Sequence, residues 1–222
     1  MTRVLVYSRT TAYRHASIPS GIGAIRELGA AQGFAVDATE DPAQFRPEAY
    51  DAVVFLSTSG EILDSAGKAA LESYVRGGGG FVGIHGAAAT EYDWPFYGRL
   101  VGAWFDKHPQ VQQATVRVVD RDHPATAHLD EAWVRVDEWY NFRTDPRPHV
   151  RVLATVDEST YTGGTMGADH PIAWCHSVDA GRAFYTAGGH TDESFVDGAF
   201  RQHLLGGILS VTGGARWAGA TG

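Results

Sequence analysis

The sequence lacks several features that would place it in a familiar class. Only one of its 222 residues is a cysteine, Cys175, which excludes an internal disulfide and fits a reducing compartment. The net charge is −8 and basic residues form no long run, so nucleic-acid binding through phosphate contacts is not expected. No apolar run approaches the length of a membrane span, and no signal-peptide pattern precedes the strand-like segment 3–8. We therefore expect a cytoplasmic protein with no membrane partner.

Nucleotide-binding motifs are lacking as well. No GxGxxG follows the first predicted strand and no GxxxxGK[ST] occurs, so a nucleotide cofactor is not expected. Ten histidines and six tryptophans, in contrast, suit a polar small-molecule site with aromatic faces. The length favours one domain, assigned to residues 1–213, followed by a flexible tail at 214–222 that contains Trp217.

The order of apolar and amphipathic segments predicts an α/β fold. Strands predicted at 3–8, 34–38, 50–56 and 81–84 alternate with helices, which indicates right-handed crossovers and a parallel sheet covered on both faces. Pro19 suits a first helical turn and Gly33 a helix end, while Asp64 or Ser65 can cap the next helix.

The second half of the chain predicts antiparallel strands. We expect a short helix within 94–104, a loop at 105–109, and strands at 114–119, 132–142 and 150–156. A hairpin formed by 171–176 and 182–187 should precede a final helix capped by Thr191 or Asp192.

The most informative stretch is GGGGFVGIHGAAAT, residues 77–90. A buried strand, one large side chain and then small residues describe a nucleophile elbow, the sharp turn that lifts one side chain above a sheet edge. The residue at the tip is His85, which can act as a base, an acid or a metal ligand. The alternative, a histidine that is simply hydrogen-bonded at a strand end, is equally compatible with this stretch.

Four groups from separate segments are candidates for one site: His15, His85, Glu138 and His190. Three imidazoles and a carboxylate would satisfy a divalent metal such as zinc or manganese, and without metal they could serve as acid and base. Each also has a structural alternative. His15 could cap the neighbouring helix, Glu138 could pair with Arg143, and His190 could be a turn residue.

We assign substrate binding to four further residues: Arg14, His108, Tyr140 and Asn141. Strand alternation puts Glu138 and Tyr140 on the pocket face and Asn141 on the opposite face, unless a bulge intervenes. Cys175 lies within a predicted strand without a cationic neighbour on its face, and we interpret it as structural.

Five motifs together resemble the ThuA-like family of trehalose-utilisation proteins, and the resemblance runs from Val4 to about Thr212. In chain order the motifs are AYRHASI, GGGFVGIHGAAAT, DEWYNF, HPIAW and GRAFYTAGGH. The resemblance implies a fold similar to class I glutamine amidotransferases, a flavodoxin-like three-layer α/β/α sandwich. It also implies a role in carbohydrate metabolism, on disaccharides or their 3-keto derivatives. Where amidotransferases carry a cysteine at the elbow this chain has His85, so glutaminase activity is not expected.

These observations support hypotheses from different classes. The first is an isomerase, hydrolase or lyase acting on a keto-sugar, with His85 or Glu138 as base and His15 and His190 holding a metal or the carbonyl oxygen. The second is a non-catalytic sugar-binding or regulatory module, in which aromatic residues such as Trp94 and Trp139 would dominate affinity. The third is an interaction scaffold, indicated only by Trp217. The sequence leaves open whether the chain forms a homo-oligomer.

Overall fold

A computed structural model describes residues 1–213, so the predicted tail with Trp217 lies outside the described residues. The described chain contains four α-helices: α1 (Ile18–Gln32), α2 (Ser65–Arg76), α3 (Pro95–Val101) and α4 (Gly198–Val211). The strands of its first half are β1 (Arg3–Tyr7), β2 (Ala35–Thr39), β3 (Ala52–Leu56), β4 (Gly80–Ile84) and β5 (Phe105–Lys107). The later strands are β6 (Gln112–Val118), β7 (Ala132–Asp137), β8 (Asn141–Phe142), β9 (Arg151–Val156), β10 (Pro171–Val178) and β11 (Gly181–Thr186).

The main sheet has nine strands in the order β2-β1-β3-β4-β11-β10-β9-β6-β7, and β5 pairs with β8 in a separate ribbon. The first five of these strands run parallel, whereas β10, β9, β6 and β7 pair antiparallel. The parallel part has the flavodoxin-like arrangement, in which the chain winds outward in both directions from β1. The predicted mostly parallel α/β fold with an antiparallel second half is confirmed.

Local sequence explains the elements of the parallel half. Strand β3 is buried at every residue, as a central strand covered on both faces requires. Pro19 occupies the first turn of α1, and Gly33 ends that helix with a left-handed φ of 78°. Asp64 caps α2, because its side chain accepts a hydrogen bond from the Gly67 amide. Helices α1 and α4 pack together, and Arg76 of α2 lies over the ring of Phe96 in α3.

Three predictions of secondary structure were wrong. The segment 132–142 is two strands, because the ladder to β6 ends at Asp137, whose carboxylate turns back to bind backbone amides. The predicted loop 105–109 begins with β5, which pairs with β8 in the ribbon. The final helix is capped by Asp197, since the segment after Thr191 forms a separate 3₁₀ turn, Asp192–Phe195.

Within residues 1–213, no helix combines the length and the apolar character needed to cross a bilayer.

Candidate functional site

Three parallel strands and the antiparallel strand β7 bring the four predicted groups together. His15 follows β1, His85 follows β4, His190 follows β11, and Glu138 follows β7. One ligand atom from each of the four lies within 4.8 Å of every other. Histidine nitrogen and carboxylate oxygen are the donors that zinc and similar divalent metals take in proteins. We call this set of four the His–Glu cluster.

The elbow places His85 at the centre of the cluster. Its φ is 47°, in the left-handed region that a non-glycine residue rarely adopts. The flanking glycines allow the turn, since a Cβ on Gly86 would lie 2.9 Å from the Thr58 carbonyl oxygen and one on Gly83 would lie 2.9 Å from the Tyr185 ring. The backbone therefore has the sharp strand-to-helix geometry predicted for an elbow.

Hydrogen bonding fixes which nitrogen of His85 faces the cluster. Nδ1 lies 2.7 Å from the carbonyl oxygen of Ala187, and because a carbonyl only accepts, Nδ1 must carry the proton. In the neutral ring Nε2 then holds the lone pair, and it lies 3.2 Å from Nδ1 of His190 and 3.4 Å from Oε2 of Glu138. A backbone carbonyl that orients a histidine through its second nitrogen is the usual arrangement around metal ligands.

Glu138 and His190 form a partly buried pair. Oε2 of Glu138 is 3.2 Å from Nδ1 of His190. Burial alone would raise the pKa of Glu138, but the hydrogen bond from His190 and the nearby His85 ring outweigh it and hold that pKa at about 2. The hydrogen bond to Glu138 raises the pKa of His190 against the opposing effect of its own burial. Glu138 is therefore a carboxylate at neutral pH, and it contacts histidines rather than Arg143, whose guanidinium lies over the Tyr92 ring.

His15 contributes a neutral imidazole to the cluster. Its ring meets those of His85 and His190 edge to face, with centroid distances of 4.6 and 5.2 Å. Nδ1 of His15 is buried and has no hydrogen-bond partner. Burial, then the nearby His85 and His190, lower the pKa of His15 to about 3, so its ring is neutral with a lone pair at neutral pH. The ring makes no capping hydrogen bond at the start of α1.

His108 lies at the mouth of the cluster. Nδ1 is 2.9 Å from Oε1 of Glu138 and 2.9 Å from the carbonyl oxygen of Pro109. Both oxygens are acceptors, so Nδ1 carries the proton and Nε2 of the neutral ring is free to accept one. The His108 side chain is 42% exposed, against 8% for Glu138, so it is the group that an incoming molecule meets first.

Tyr140 forms a wall of the cluster. Its ring is 4.2 Å from that of His85 and 4.3 Å from that of Phe105, centroid to centroid. Its backbone carbonyl accepts a hydrogen bond from His170 Nε2, which holds the segment after β7 in place. Tyr140 thus contacts the cluster through its ring face.

Arg14 and Asn141, which the sequence assigns to substrate binding, have other partners. Both guanidinium nitrogens of Arg14 bind the carboxylate of Glu40, at 2.6 and 3.1 Å. The Asn141 amide is buried and donates to Lys107 and Gly163 carbonyls, while its oxygen accepts from Thr165. The structure therefore brings His15, His85, His108, Glu138, Tyr140 and His190 together, and it directs Arg14 and Asn141 elsewhere.

Asp137 is a residue of the site that the sequence reasoning missed. Its buried carboxylate accepts hydrogen bonds from the backbone amides of Glu138, Gly189 and His190, at 2.9, 2.9 and 3.1 Å. Asp137 therefore holds the backbone of two cluster residues in place, Glu138 directly after β7 and His190 after β11. The available signal was the acidic doublet at 137–138, of which only Glu138 was considered.

The buried guanidinium of Arg135 pairs with the Asp137 carboxylate. Arg135 Nη2 lies 3.0 Å from Oδ2 of Asp137, and Arg135 Nη1 lies 3.0 Å from Oδ2 of Asp197. The guanidinium also contacts the rings of Trp133 and Phe200, 4.4 and 4.3 Å from their centroids. Burial would raise the pKa of Asp137, but Arg135 and the amide donors hold it below the usual range.

Comparisons with known proteins agree with this fold. Residues 3–210 match the family model ThuA, described as trehalose utilisation. A ThuA-like protein from Bacteroides uniformis superposes with a TM-score of 0.78 at 27% identity, covering 93% of this chain and 89% of that one. A second from Parabacteroides merdae gives the same TM-score at 17% identity, covering 96% and 90%. A β-galactosidase from Rahnella sp. R3 shares the fold over 95% of this chain but only 31% of its own, with a TM-score of 0.61 and 17% identity. The comparison with curated proteins gave no significant match.

Proposed function

The chain belongs to the ThuA family of trehalose-utilisation proteins, and we propose that it is an enzyme that removes a proton from the carbon beside a keto group on an oxidised disaccharide. The observation that carries the proposal is the His–Glu cluster, whose four ligand atoms converge within 4.8 Å with His85 held in the tautomer of a metal ligand. Isomerisation of a 3-keto glycoside and elimination of its glycosidic bond both begin with this proton removal.

The residues present fit a divalent metal ion, zinc or manganese. Ligand atoms around one zinc ion are separated by roughly 3.3 Å, since zinc–nitrogen distances are about 2.0–2.1 Å. The contacts of 3.2 and 3.4 Å that link Glu138, His85 and His190 are already close to this spacing. His15 adds a neutral ring, one nitrogen of which lies within 4.8 Å of the other three ligand atoms. Such an ion supplies Lewis acidity, which polarises a ketone oxygen and acidifies the neighbouring C–H.

His108 is the proposed base in this reaction. Its Nδ1–H is held by Glu138 and Pro109, so Nε2 can accept the substrate proton while the electron pair of the broken C–H bond moves toward the keto oxygen. Elimination then expels the glycosidic oxygen, which takes up a proton from the His108 imidazolium. The sequence suggested His85 or Glu138 as the base. We assign this role to His108 instead, because His85 and Glu138 are both enclosed within the cluster.

The burial of Trp139 argues against a module that only binds sugar. The ring of Trp139 is buried and its indole N–H donates to the Gln112 carbonyl, so it offers no stacking face to a sugar. The proposed partner is a small-molecule sugar substrate, bound at the rim beside His108 and Tyr140.

Two measurements test the proposal separately. Elemental analysis of the purified protein should find near-stoichiometric zinc or manganese, which His85→Ala loses. His128→Ala should retain it, because His128 lies outside the cluster and contacts the Ala199 carbonyl.

The second measurement follows the proton. In D₂O with 3-ketotrehalose as the probe, the C2 hydrogen should exchange for deuterium, and His108→Gln should lose the exchange while keeping the metal. Metal without exchange in the wild type would refute the reaction, whereas exchange with no metal in any sample would refute the metal site. If His108→Gln exchanged at the wild-type rate, the assignment of the base would be wrong.

A further inference from the structure

A cavity of about 590 Å³ lies away from the His–Glu cluster. It is enclosed by α3, the turn that follows it, the segment 143–150 and the end of β10. Its volume is within the range of small-molecule sites. None of the residues of the His–Glu cluster lines it. The proposed reaction leaves this cavity without a role.

The charge of the cavity is unusual for an acidic protein. Arg99 and Arg143 both line it, and neither has a carboxylate partner within the described chain. The one acidic residue in the lining, Asp179, is already paired with Arg76, Nη1 to Oδ2 at 3.0 Å. Two uncompensated guanidinium groups around one cavity attract an anion, and guanidinium geometry suits phosphate or carboxylate oxygens.

One wall of the cavity is held rigidly before any ligand arrives. The Arg143 guanidinium lies 4.0 Å over the Tyr92 ring, which leaves its N–H edge available for hydrogen bonds. The Trp104 indole N–H donates to the Thr90 carbonyl at 3.1 Å, and the Arg143 amide donates to the Trp104 carbonyl at 2.8 Å. Groups fixed in this way lose little freedom when a ligand binds.

The remaining lining offers an aromatic face and hydroxyl groups. Trp104 is half-buried, and Thr144 and Ser177 provide hydroxyls, which together suit a ring that carries its own hydroxyl groups. We propose that this cavity binds a small polyhydroxylated anion, a sugar phosphate or sugar acid, through Arg99 and Arg143. The site does not depend on the proposed function of the His–Glu cluster.

Calorimetric titration at low salt tests the site with three probes: glucose 6-phosphate, glucuronate and neutral glucose. At least one anion should bind saturably and glucose at least about tenfold more weakly, because a hydrogen bond to a charged group contributes about a factor of ten or more. The two anions decide between phosphate and carboxylate as the recognised group.

Matched variants locate the binding. Arg99→Gln/Arg143→Gln should lower the affinity about tenfold or more, with an unchanged circular dichroism spectrum. Arg121→Gln, which removes an exposed arginine outside the cavity, should bind as the wild type does. His85→Ala should also bind normally, which separates this site from the cluster.

Three results would overturn the proposal. The first is no saturable binding of either anion to the wild type. The second is an equal loss of affinity in Arg121→Gln and the double variant. The third is a wild-type dimer that the double variant dissociates while no anion binds, which would make the cavity an interface between copies of the chain.

Discussion

Asp137 provides the sharpest test of how the site is built. Its carboxylate accepts hydrogen bonds from the backbone amides of both Glu138 and His190, and it pairs with the buried Arg135. In Asp137→Asn the side chain keeps its shape but loses its charge and turns an NH₂ group toward N–H donors. Removing one partner of a buried ion pair costs about 3–5 kcal/mol of the free energy of unfolding. We expect a loss of that size in urea denaturation.

The same change should weaken the proposed metal binding, because groups that position metal ligands contribute about 10–100-fold to affinity. The assay is competition with a chromogenic zinc chelator, at a temperature where circular dichroism shows the variant fully folded. Activity alone would not separate positioning from general destabilisation, so affinity is the decisive readout.

Asp197→Asn is the matched control. Asp197 is the other carboxylate bound to Arg135, it is 39% exposed, and asparagine can still cap α4 through the Ala199 amide. It touches neither Glu138 nor His190, so stability should fall by only about 0–1 kcal/mol and zinc affinity should stay unchanged. If Asp137→Asn bound zinc as tightly as Asp197→Asn, Asp137 would have no positioning role.

Three further predictions concern the rest of the fold. Burial lowers the pKa of His203 from 6.5 to about 3, so the unfolded chain binds its proton more readily between these values. This residue alone should lower the free energy of unfolding by about 1.4 kcal/mol per pH unit as the pH falls from about 6 to about 3, and His203→Gln should show a shallower slope in acid denaturation over that range. Gly86→Ala should lower the melting temperature because its Cβ meets a backbone oxygen, whereas Gly23→Ala, in open space within α1, should raise stability by about 0.5–1 kcal/mol. Cys175 is buried, which raises the pKa of its thiol, so a thiol reagent should modify it only at the rate of unfolding.

The parallel half of the fold could be predicted because its signals are local. Strands β1, β3 and β4 are short apolar runs, and glycine or aspartate marks helix ends, so the order of the elements is enough to predict the sheet. The same reasoning predicted that His15, His85 and His190 lie at one edge of the sheet, since each follows a strand of its parallel part.

The anchor at Asp137 could not be predicted in this way. The donors to its carboxylate include Gly189, His190 and Ser194, more than fifty residues later in the chain, and nothing in the local sequence signals that they meet. The same carboxylate ends β7, which is why a strand continuing to Phe142 was wrongly predicted. For Arg14 the position was predicted correctly but the contact was not. It follows β1 as expected, but its long side chain reaches Glu40 after β2 and not the cluster.

The cluster destabilises the folded protein unless a ligand binds there. His85 adopts a strained φ of 47°, and such residues cost of order 1–3 kcal/mol. His15 buries Nδ1 without a partner, which adds about 1–3 kcal/mol, and the Glu138 carboxylate is taken out of water beside three imidazoles. Packing does not require any of these features, since an apolar side chain at position 15 would avoid an unsatisfied nitrogen. A bound cation would offset the cost of the buried carboxylate, because it would neutralise Glu138. The strain at His85 then has a function, which is to hold its Nε2 where the other three ligand atoms converge.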